Sequence, residues 1–245
     1  MQQFEVRQDI CLSTPGHLTL QVAAASSFNV FLSPNIFAQY SRCNSSLSAS
    51  LIYLISVTQH SPIKFRSLIS CLQVWRELFS PLHALNFGLA GDTTCNVLWR
   101  LQNGELENIR PKVVVLWVGT NNHEHTAEQV AGGILAIAQL LTSRLPKAKI
   151  VVLSLLPRGE RPNPLREKNA AVNGFLRQWL PRLSQAQYLD VTGDFVHSDG
   201  TIIPQDMFDF LHLTATGYRS VSKPLSDLLL QILEETPEER RASLV

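Results

Sequence analysis

The fold is decided by the stretch Lys112-Val113-Val114-Val115-Leu116-Trp117-Val118-Gly119-Thr120-Asn121-Asn122. Its apolar part, Val113–Val118, has the length and the β-branched content of a strand that is buried on both faces. Polar residues follow, and Thr126 and Gln129 then have the spacing of a capping box at the start of a helix. Apolar residues continue at helical spacing, at Val130, Ile134, Ile137 and Leu141. The stretch therefore predicts a buried strand, a polar loop and a helix.

The same alternation extends in both directions from this strand. Further strands are predicted at Ala84–Phe87, Lys149–Leu156 and Gln187–Asp190. Helices are predicted at Thr94–Leu101 and Leu165–Leu180, and through the apolar stripe formed by Tyr218, Val221, Leu225, Leu228, Leu229 and Ile232. Unbroken apolar strands that alternate with helices favour the α/β class, here a three-layer α/β/α sandwich around a parallel sheet. Ligands of such sheets bind beyond the carboxyl ends of the strands.

Two of the segments that follow strands carry candidate oxyanion donors. Gly88 and Gly91 lie between the first of these strands and the next helix, where their backbone N–H groups can face an anion. The alternative is a plain turn with Asp92 as the helix N-cap. After Val118, Asn121 can donate its side-chain amide to an oxyanion, or it can be part of a simple polar loop.

A candidate proton-transfer pair lies near the C-terminus, at Asp209 and His212. A spacing of three places both side chains on one face of a turn, where the carboxylate can hold Nδ1–H and orient the imidazole as a general base. The alternative is a structural histidine at a helix start. His197 and Asp199 form a looser pair, which we interpret as part of a loop.

Metal and cofactor sites are not expected from the sequence. His123 and His125 are two residues apart, but no third ligand follows at a suitable spacing. The Gly88–Gly91 turn is too short for a dinucleotide fingerprint or a P-loop, and no lysine follows it.

The chain has a backbone donor, an asparagine donor and an Asp-x-x-His pair in this order. With this set of features it resembles the SGNH (GDSL-type) esterases and lipases, whose sheet is flavodoxin-like. In particular, the chain resembles the catalytic α subunits of intracellular platelet-activating factor acetylhydrolase type IB, and this resemblance covers about Val74–Val245. It is carried by the segments Trp75–Gly88, Asn103–Glu107, Trp117–Glu124, Leu156–Asn163 and Phe195–Gly200. The α2 subunit is favoured over α1 by Asp92-Thr93-Thr94, Met207–Phe210 and Leu233–Glu239.

The resemblance implies roles, a reaction and partners. Asp209 and His212 match the Asp and His of the family's catalytic triad, and Gly91 and Asn121 match two of its three oxyanion donors. The family hydrolyses the sn-2 acetyl ester of the phospholipid platelet-activating factor in the cytoplasm and needs no metal or cofactor. Its subunits pair as dimers, α1 or α2 with either, and associate with a WD-repeat regulatory subunit.

The family's nucleophile is missing from this chain. It is the Ser of a Gly-Asp-Ser turn at the end of the family's first strand, and Lys64 occupies its position in an ungapped alignment. Ser61, which follows the strand-like run Leu51–Val57, and Ser67 are the candidate replacements. We therefore expect the first strand and the nucleophile turn to be missing or replaced, which leaves a catalytically dead isoform as the alternative to an active esterase.

Composition divides the chain after Gln73. Residues 1–73 hold only six of the 41 charged residues and one of the 12 glycines, Gly16. A globular domain needs both at its turns, so we expect residues 1–73 to be an atypical, poorly ordered segment and residues 74–245 to be the esterase domain.

Overall composition excludes several functional classes. A net charge of +1 excludes a strongly basic nucleic-acid binder, and no apolar run has the length of a membrane-spanning helix. The four cysteines form no CxxC pair, which favours reduced thiols and the cytoplasm.

Overall fold

The central run Val113–Val118 forms a buried strand, and the remaining strands lie parallel to it. The structure, a computed structural model, describes residues 52–56, 73–89, 91–193 and 195–234, all within one compact unit that spans Ser50–Val245. The strands are β1 (Ile52–Ser56), β2 (Ala84–Asn86), β3 (Val113–Trp117), β4 (Lys149–Leu153) and β5 (Ala186–Leu189). Their order in the sheet is β2-β1-β3-β4-β5, and every pairing is parallel.

Helices follow the strands as the alternation predicts. They are α1 (Thr94–Gln102), α2 (Ala127–Arg144), α3 (Pro164–Trp179) and α4 (Ala215–Glu234), and residues 73–78 are also helical. The predicted capping box is present at α2, where Thr126 Oγ1 accepts the Gln129 N–H at 3.3 Å and Gln129 Oε1 accepts the Thr126 N–H at 2.9 Å. Among the described residues, none of the helices is both long and apolar enough to cross a membrane.

The sheet has an apolar core on each face, because successive residues of its strands point to opposite sides. Val114 and Leu116 pack with residues of α1, α2 and α3, whereas Val113 and Val115 pack with α4 and with Phe79. All four of these β3 side chains are fully buried. This arrangement confirms the three-layer α/β/α sandwich.

Strand β1 corrects the expectation drawn from composition for part of residues 1–73. Ile52–Ser56 lies between β2 and β3, with Leu54 paired to Asn86 and Ser56 paired to Trp117. The first strand is therefore replaced rather than missing, and the sheet begins upstream of residue 74. A strand of five residues needs neither charge nor glycine, so composition averaged over 73 residues could not exclude it. Residues 1–51 and 57–72 lie outside the described residues.

A close contact between α1 and α2 requires glycine at position 133. A Cβ at Gly133 would lie 2.7 Å from Thr94 Oγ1 and 2.8 Å from Thr94 Cβ, whereas a Cβ at Gly132 would meet nothing within 4 Å. We expect Gly133→Ala to destabilise the fold by about 1–3 kcal/mol through overpacking. Gly132→Ala is the matched control and should stabilise α2 by about 0.5–1 kcal/mol. Urea unfolding measures both, and equal shifts of the two midpoints would contradict the packing argument.

Candidate active site

Asp209 and His212 form a short contact in the turn before α4. Asp209 Oδ2 lies 2.6 Å from His212 Nδ1, and Asp209 Oδ1 accepts the backbone N–H groups of His212 at 2.8 Å and Leu211 at 3.3 Å. Both carboxylate oxygens are therefore engaged. The His212 side chain is 16% exposed, so water is largely kept from the imidazole. This geometry orients His212 for proton transfer through its other ring nitrogen.

The backbone of this turn is held in a conformation that a non-glycine residue rarely adopts. Phe210, between Asp209 and Leu211, has a φ of +59°. Its N–H donates to the Met207 carbonyl at 3.1 Å, and its carbonyl accepts the Gly159 N–H at 2.7 Å. His212 lies three residues before α4 begins, and the Phe208 ring stacks on its imidazole at a centroid distance of 5.8 Å. The turn therefore holds His212 outside the helix, whereas the alternative drawn from sequence placed it at a helix start.

Asn121 reaches the segment that carries Gly91. Its Nδ2 donates to the Asp92 carbonyl at 3.0 Å, which joins the loop after β3 to the loop after β2. Gly91 has a φ of +84° and is exposed. A residue with a Cβ would be strained at this φ, so the turn that brings the Asp92 carbonyl to Asn121 requires glycine at position 91. The structure thus brings together the two candidate donors, which the sequence places in separate loops.

Two features beside these loops differ from the sequence-based interpretation: the role of Asn122 was not predicted, and the N-cap of α1 is a different residue. Asn122 is buried, and its side chain accepts the Thr94 N–H at 3.2 Å and donates to Thr94 Oγ1 at 3.0 Å. It therefore holds the start of α1 next to Asn121. Thr93, not Asp92, is the N-cap of α1, and its N–H and hydroxyl both donate to Asn96 Oδ1. The Asn-Asn pair was the only sequence signal for Asn122.

Arg100 holds both ends of the loop after β2. Its guanidinium donates to the Phe87 carbonyl at 3.2 Å, to Asp92 Oδ2 at 2.6 Å and to Glu105 Oε2 at 2.5 Å. The three charged side chains are 12–14% exposed. Burial raises the pKa of Asp92, and the charge of Arg100 opposes that rise. Arg100 is therefore a positioning residue for the Gly91 turn.

Removal of Arg100 should be costly. We expect Arg100→Gln to destabilise the fold by about 3 kcal/mol, because the partly buried Asp92 carboxylate loses its guanidinium partner. Arg177→Gln is the control, since the Arg177–Asp190 pair has a similar 2.5 Å contact but side chains that are 53% and 39% exposed. Its loss should cost less than about 1 kcal/mol. Urea unfolding of both variants measures the difference, and similar losses would contradict a special role for Arg100.

The remaining candidates are accounted for as follows. Ser61 and Ser67 lie outside the described residues. His197 lies 3.9 Å from Asp206, while Asp199 accepts bonds from Thr201, so the pair His197 and Asp199 is not brought together as a site. In the described part of the chain, no group of three or more His, Cys, Asp or Glu side chains is placed to hold a metal ion.

The end of β1 lies between the loop that carries Gly91 and the loop that carries Asn121. Leu54 pairs with Asn86 and Ser56 pairs with Trp117, so the chain leaves β1 between the loop after β2 and the loop after β3. In parallel α/β sheets this is the edge at which ligands bind. Strand β1 therefore ends beside the loops that carry Gly91 and Asn121.

Known proteins are similar to this chain over most of its length. The model of the GDSL-like Lipase/Acylhydrolase family matches residues 58–220. The Homo sapiens protein named platelet-activating factor acetylhydrolase IB subunit alpha2 is 66% identical over 177 residues, which cover 72% of this chain and 77% of that protein. The alpha1 subunit of Bos taurus is 62% identical over 163 residues, 66% of this chain and 70% of that protein. The higher identity with alpha2 agrees with the preference drawn from sequence.

Solved structures share the fold at low sequence identity. A GDSL-like lipase from Bacteroides thetaiotaomicron superposes with a TM-score of 0.64 at 16% identity, over 81% of this chain and 97% of that one. The esterase EstA from Pseudoalteromonas superposes with a TM-score of 0.56 at 12% identity, over 76% of this chain and 100% of that one. On the family model and the identity with its relatives, this chain belongs to the GDSL-like lipase/acylhydrolase family.

Proposed function

We propose that this chain carries the proton-transfer and oxyanion parts of an ester hydrolase site directed at the sn-2 acetyl ester of platelet-activating factor. The observation that carries the proposal is the 2.6 Å contact between His212 Nδ1 and Asp209 Oδ2. The substrate is inferred from the name of the 66% identical alpha2 relatives. The proposed compartment is the cytoplasm.

The proposed reaction gives each of these groups a role. A serine hydroxyl attacks the acetyl carbonyl while His212 takes the hydroxyl proton, and Asp209 stabilises the imidazolium that forms. The Gly91 N–H and the Asn121 side chain stabilise the oxyanion. His212 then returns the proton to the departing glycerol oxygen. Water repeats the sequence on the acetyl-enzyme, which releases acetate and frees the serine.

This mechanism requires a serine nucleophile. The chain has no Gly-Asp-Ser motif, and Ser61 and Ser67 are the candidates after β1. Acetate release from platelet-activating factor at pH 7–8 tests the proposal. Release that depends on a serine should be lost with His212→Ala, which leaves only the weak catalysis of the oxyanion donors. Release that stays well above this background in the variant would contradict the assigned general base.

A second function is favoured by the lack of Gly-Asp-Ser together with the high identity elsewhere. We propose as the alternative that the chain is a non-hydrolysing subunit. It would pair with intact α1 or α2 subunits and through them associate with the WD-repeat regulatory subunit. Strand β1 supports this alternative, because it fills the middle of the sheet and leaves no unpaired strand edges there.

Pairing gives a measurable expectation. Co-expressed with an intact α2 subunit, the chain should sediment with that subunit in a mixed dimer. Sedimentation of the purified mixture, with the chain and the α2 subunit each run alone as controls, measures it. Recovery of the α2 subunit only as its own homodimer, with the 27.4 kDa chain insoluble, would contradict pairing.

A further inference from the structure

A cluster of three cations, Arg158, Arg166 and Lys168, lies beside the candidate active site, and here we call it the basic cluster. Arg158 donates to the Thr120 carbonyl at 2.8 Å. Arg166 donates to the carbonyls of Gly200 at 2.7 Å and Gly159 at 2.5 Å. Lys168 Nζ donates to three carbonyls in the loop after β3, those of Asn122, His123 and His125.

The charge of the basic cluster is not balanced by direct ion pairs. Within the described residues, no carboxylate lies within ion-pair distance of any of the three side chains. Burial lowers the pKa of Lys168, and the nearby charge of Arg158 lowers it further. Carbonyl oxygens accept hydrogen bonds but carry no net charge, so the cluster favours the approach of an anion.

Arg158 is the member of the basic cluster whose side chain keeps hydrogen-bond donors available for a ligand. Its Nη1 contacts Thr120 and lies 3.3 Å from His123 Nδ1, while its Nε and Nη2 form no hydrogen bond with any described residue. All three protons of Lys168 are directed at carbonyls, so its ammonium supplies charge rather than a free donor. A guanidinium with an open Nε and Nη2 can bind a phosphate through two parallel hydrogen bonds.

The segment of Arg158 also connects the loop that carries Asn121 with the turn that carries Asp209 and His212. Its partner Thr120 directly precedes the oxyanion donor Asn121. Its neighbour Gly159 donates to the Phe210 carbonyl at 2.7 Å, in the turn that carries Asp209 and His212. Burial lowers the pKa of Arg158, and the negative charge of Asp209 acts in the opposite direction.

We propose that Arg158 binds the phosphate group of the substrate, the phosphodiester of a glycerophospholipid, with Lys168 and Arg166 supplying additional positive charge. The proposal rests on the proposed function for the choice of substrate. In a phospholipid with an sn-2 acetyl ester, the phosphodiester is attached to the adjacent glycerol carbon. An arginine beside Asn121 and Asp209 is therefore suitably placed to hold the phosphate while the acetyl carbonyl faces the oxyanion donors.

Binding to the full chain tests this role without any turnover. Glycerophosphocholine, which has the phosphodiester but no ester, is titrated into the chain while the Arg158 side-chain Nε–H resonance is followed by NMR. We expect Arg158→Gln to weaken binding about tenfold or more, because a charge-assisted bidentate contact is lost. Arg158→Lys should give a smaller loss, since it keeps the charge but not the fork. Arg161→Gln, an exposed arginine of the same loop, is the control and should bind as the parent chain does.

The remaining arms distinguish the ligand sources and the two proposals. Glycerol should not bind, and inorganic phosphate binding more tightly than glycerophosphocholine would identify free phosphate as the ligand of Arg158 instead of a lipid headgroup. Unchanged affinity in folded Arg158→Gln would overturn the phosphate role. If that variant does not fold, undiminished binding by Arg158→Lys and a stationary Nε–H resonance in the parent chain would overturn it. Failure of ester hydrolysis bears on the proposed function alone, because this experiment involves no bond cleavage.

Discussion

The chain should release acetate from platelet-activating factor at least ~10³-fold more slowly than an intact α2 subunit assayed beside it. The reason is the absence of Gly-Asp-Ser, with Lys64 at the position of the serine. Serine, histidine and aspartate act as one unit, so loss of the nucleophile removes most of the contribution of His212 and Asp209. Weak catalysis by the oxyanion donors alone remains.

Acetate release at pH 7–8 measures this difference, with Ser61→Ala and Ser67→Ala as diagnostic variants. Turnover close to that of the intact subunit, lost in one of these two variants, would contradict the prediction and identify the replacement nucleophile. Turnover unaffected by both substitutions but lost in His212→Ala would place the nucleophile elsewhere in the chain.

A chimera in which residues 1–73 are replaced by the family's first strand and Gly-Asp-Ser turn should regain hydrolysis. In that background His212→Ala should abolish activity and Asp209→Asn should sharply reduce it, because the imidazole loses its orientation. Asn121→Ala should lower kcat by roughly 10²–10³-fold through loss of an oxyanion donor. The measurement is kcat and KM for acetate release by each variant.

The matched control for this series is His197→Ala. His197 also lies near a carboxylate, at 3.9 Å from Asp206, but it belongs to the turn closed by its bonds with Gly200 and Thr201, not to the turn of the candidate pair. Its replacement should leave kcat unchanged. A folded chimera without activity would contradict the roles assigned to Asp209, His212, Gly91 and Asn121.

Much of the fold could be predicted because hydrophobic pattern and packing coincide. Val113–Val118 is apolar throughout since its core residues face helices on one side or the other of the sheet. The capping box at Thr126 correctly predicted where α2 begins. Strand β1 was the weak point, because a short apolar run in a segment poor in charge and glycine has the same pattern whether or not it pairs.

The site was predictable where its residues are close in sequence. Asp209 and His212 are three residues apart, so a single turn brings them into contact, as the spacing predicted. Arg100, Asn122 and Arg158 act on the site through hydrogen bonds to backbone groups and side chains in other segments. Contacts of that kind depend on how loops meet at the edge of the sheet, and no local sequence pattern encodes them.

Labelling by a fluorophosphonate tests the central claim, that the described residues form a catalytic site whose nucleophile is missing. The reagent reacts only with an activated nucleophile, and mass spectrometry then maps the labelled residue in the unmodified chain and in the chimera. We expect the label in the chimera alone, on the serine of the introduced Gly-Asp-Ser turn, and we expect it to be lost with His212→Ala. Stoichiometric, His212-dependent label on Ser61 or Ser67 of the unmodified chain would contradict the account.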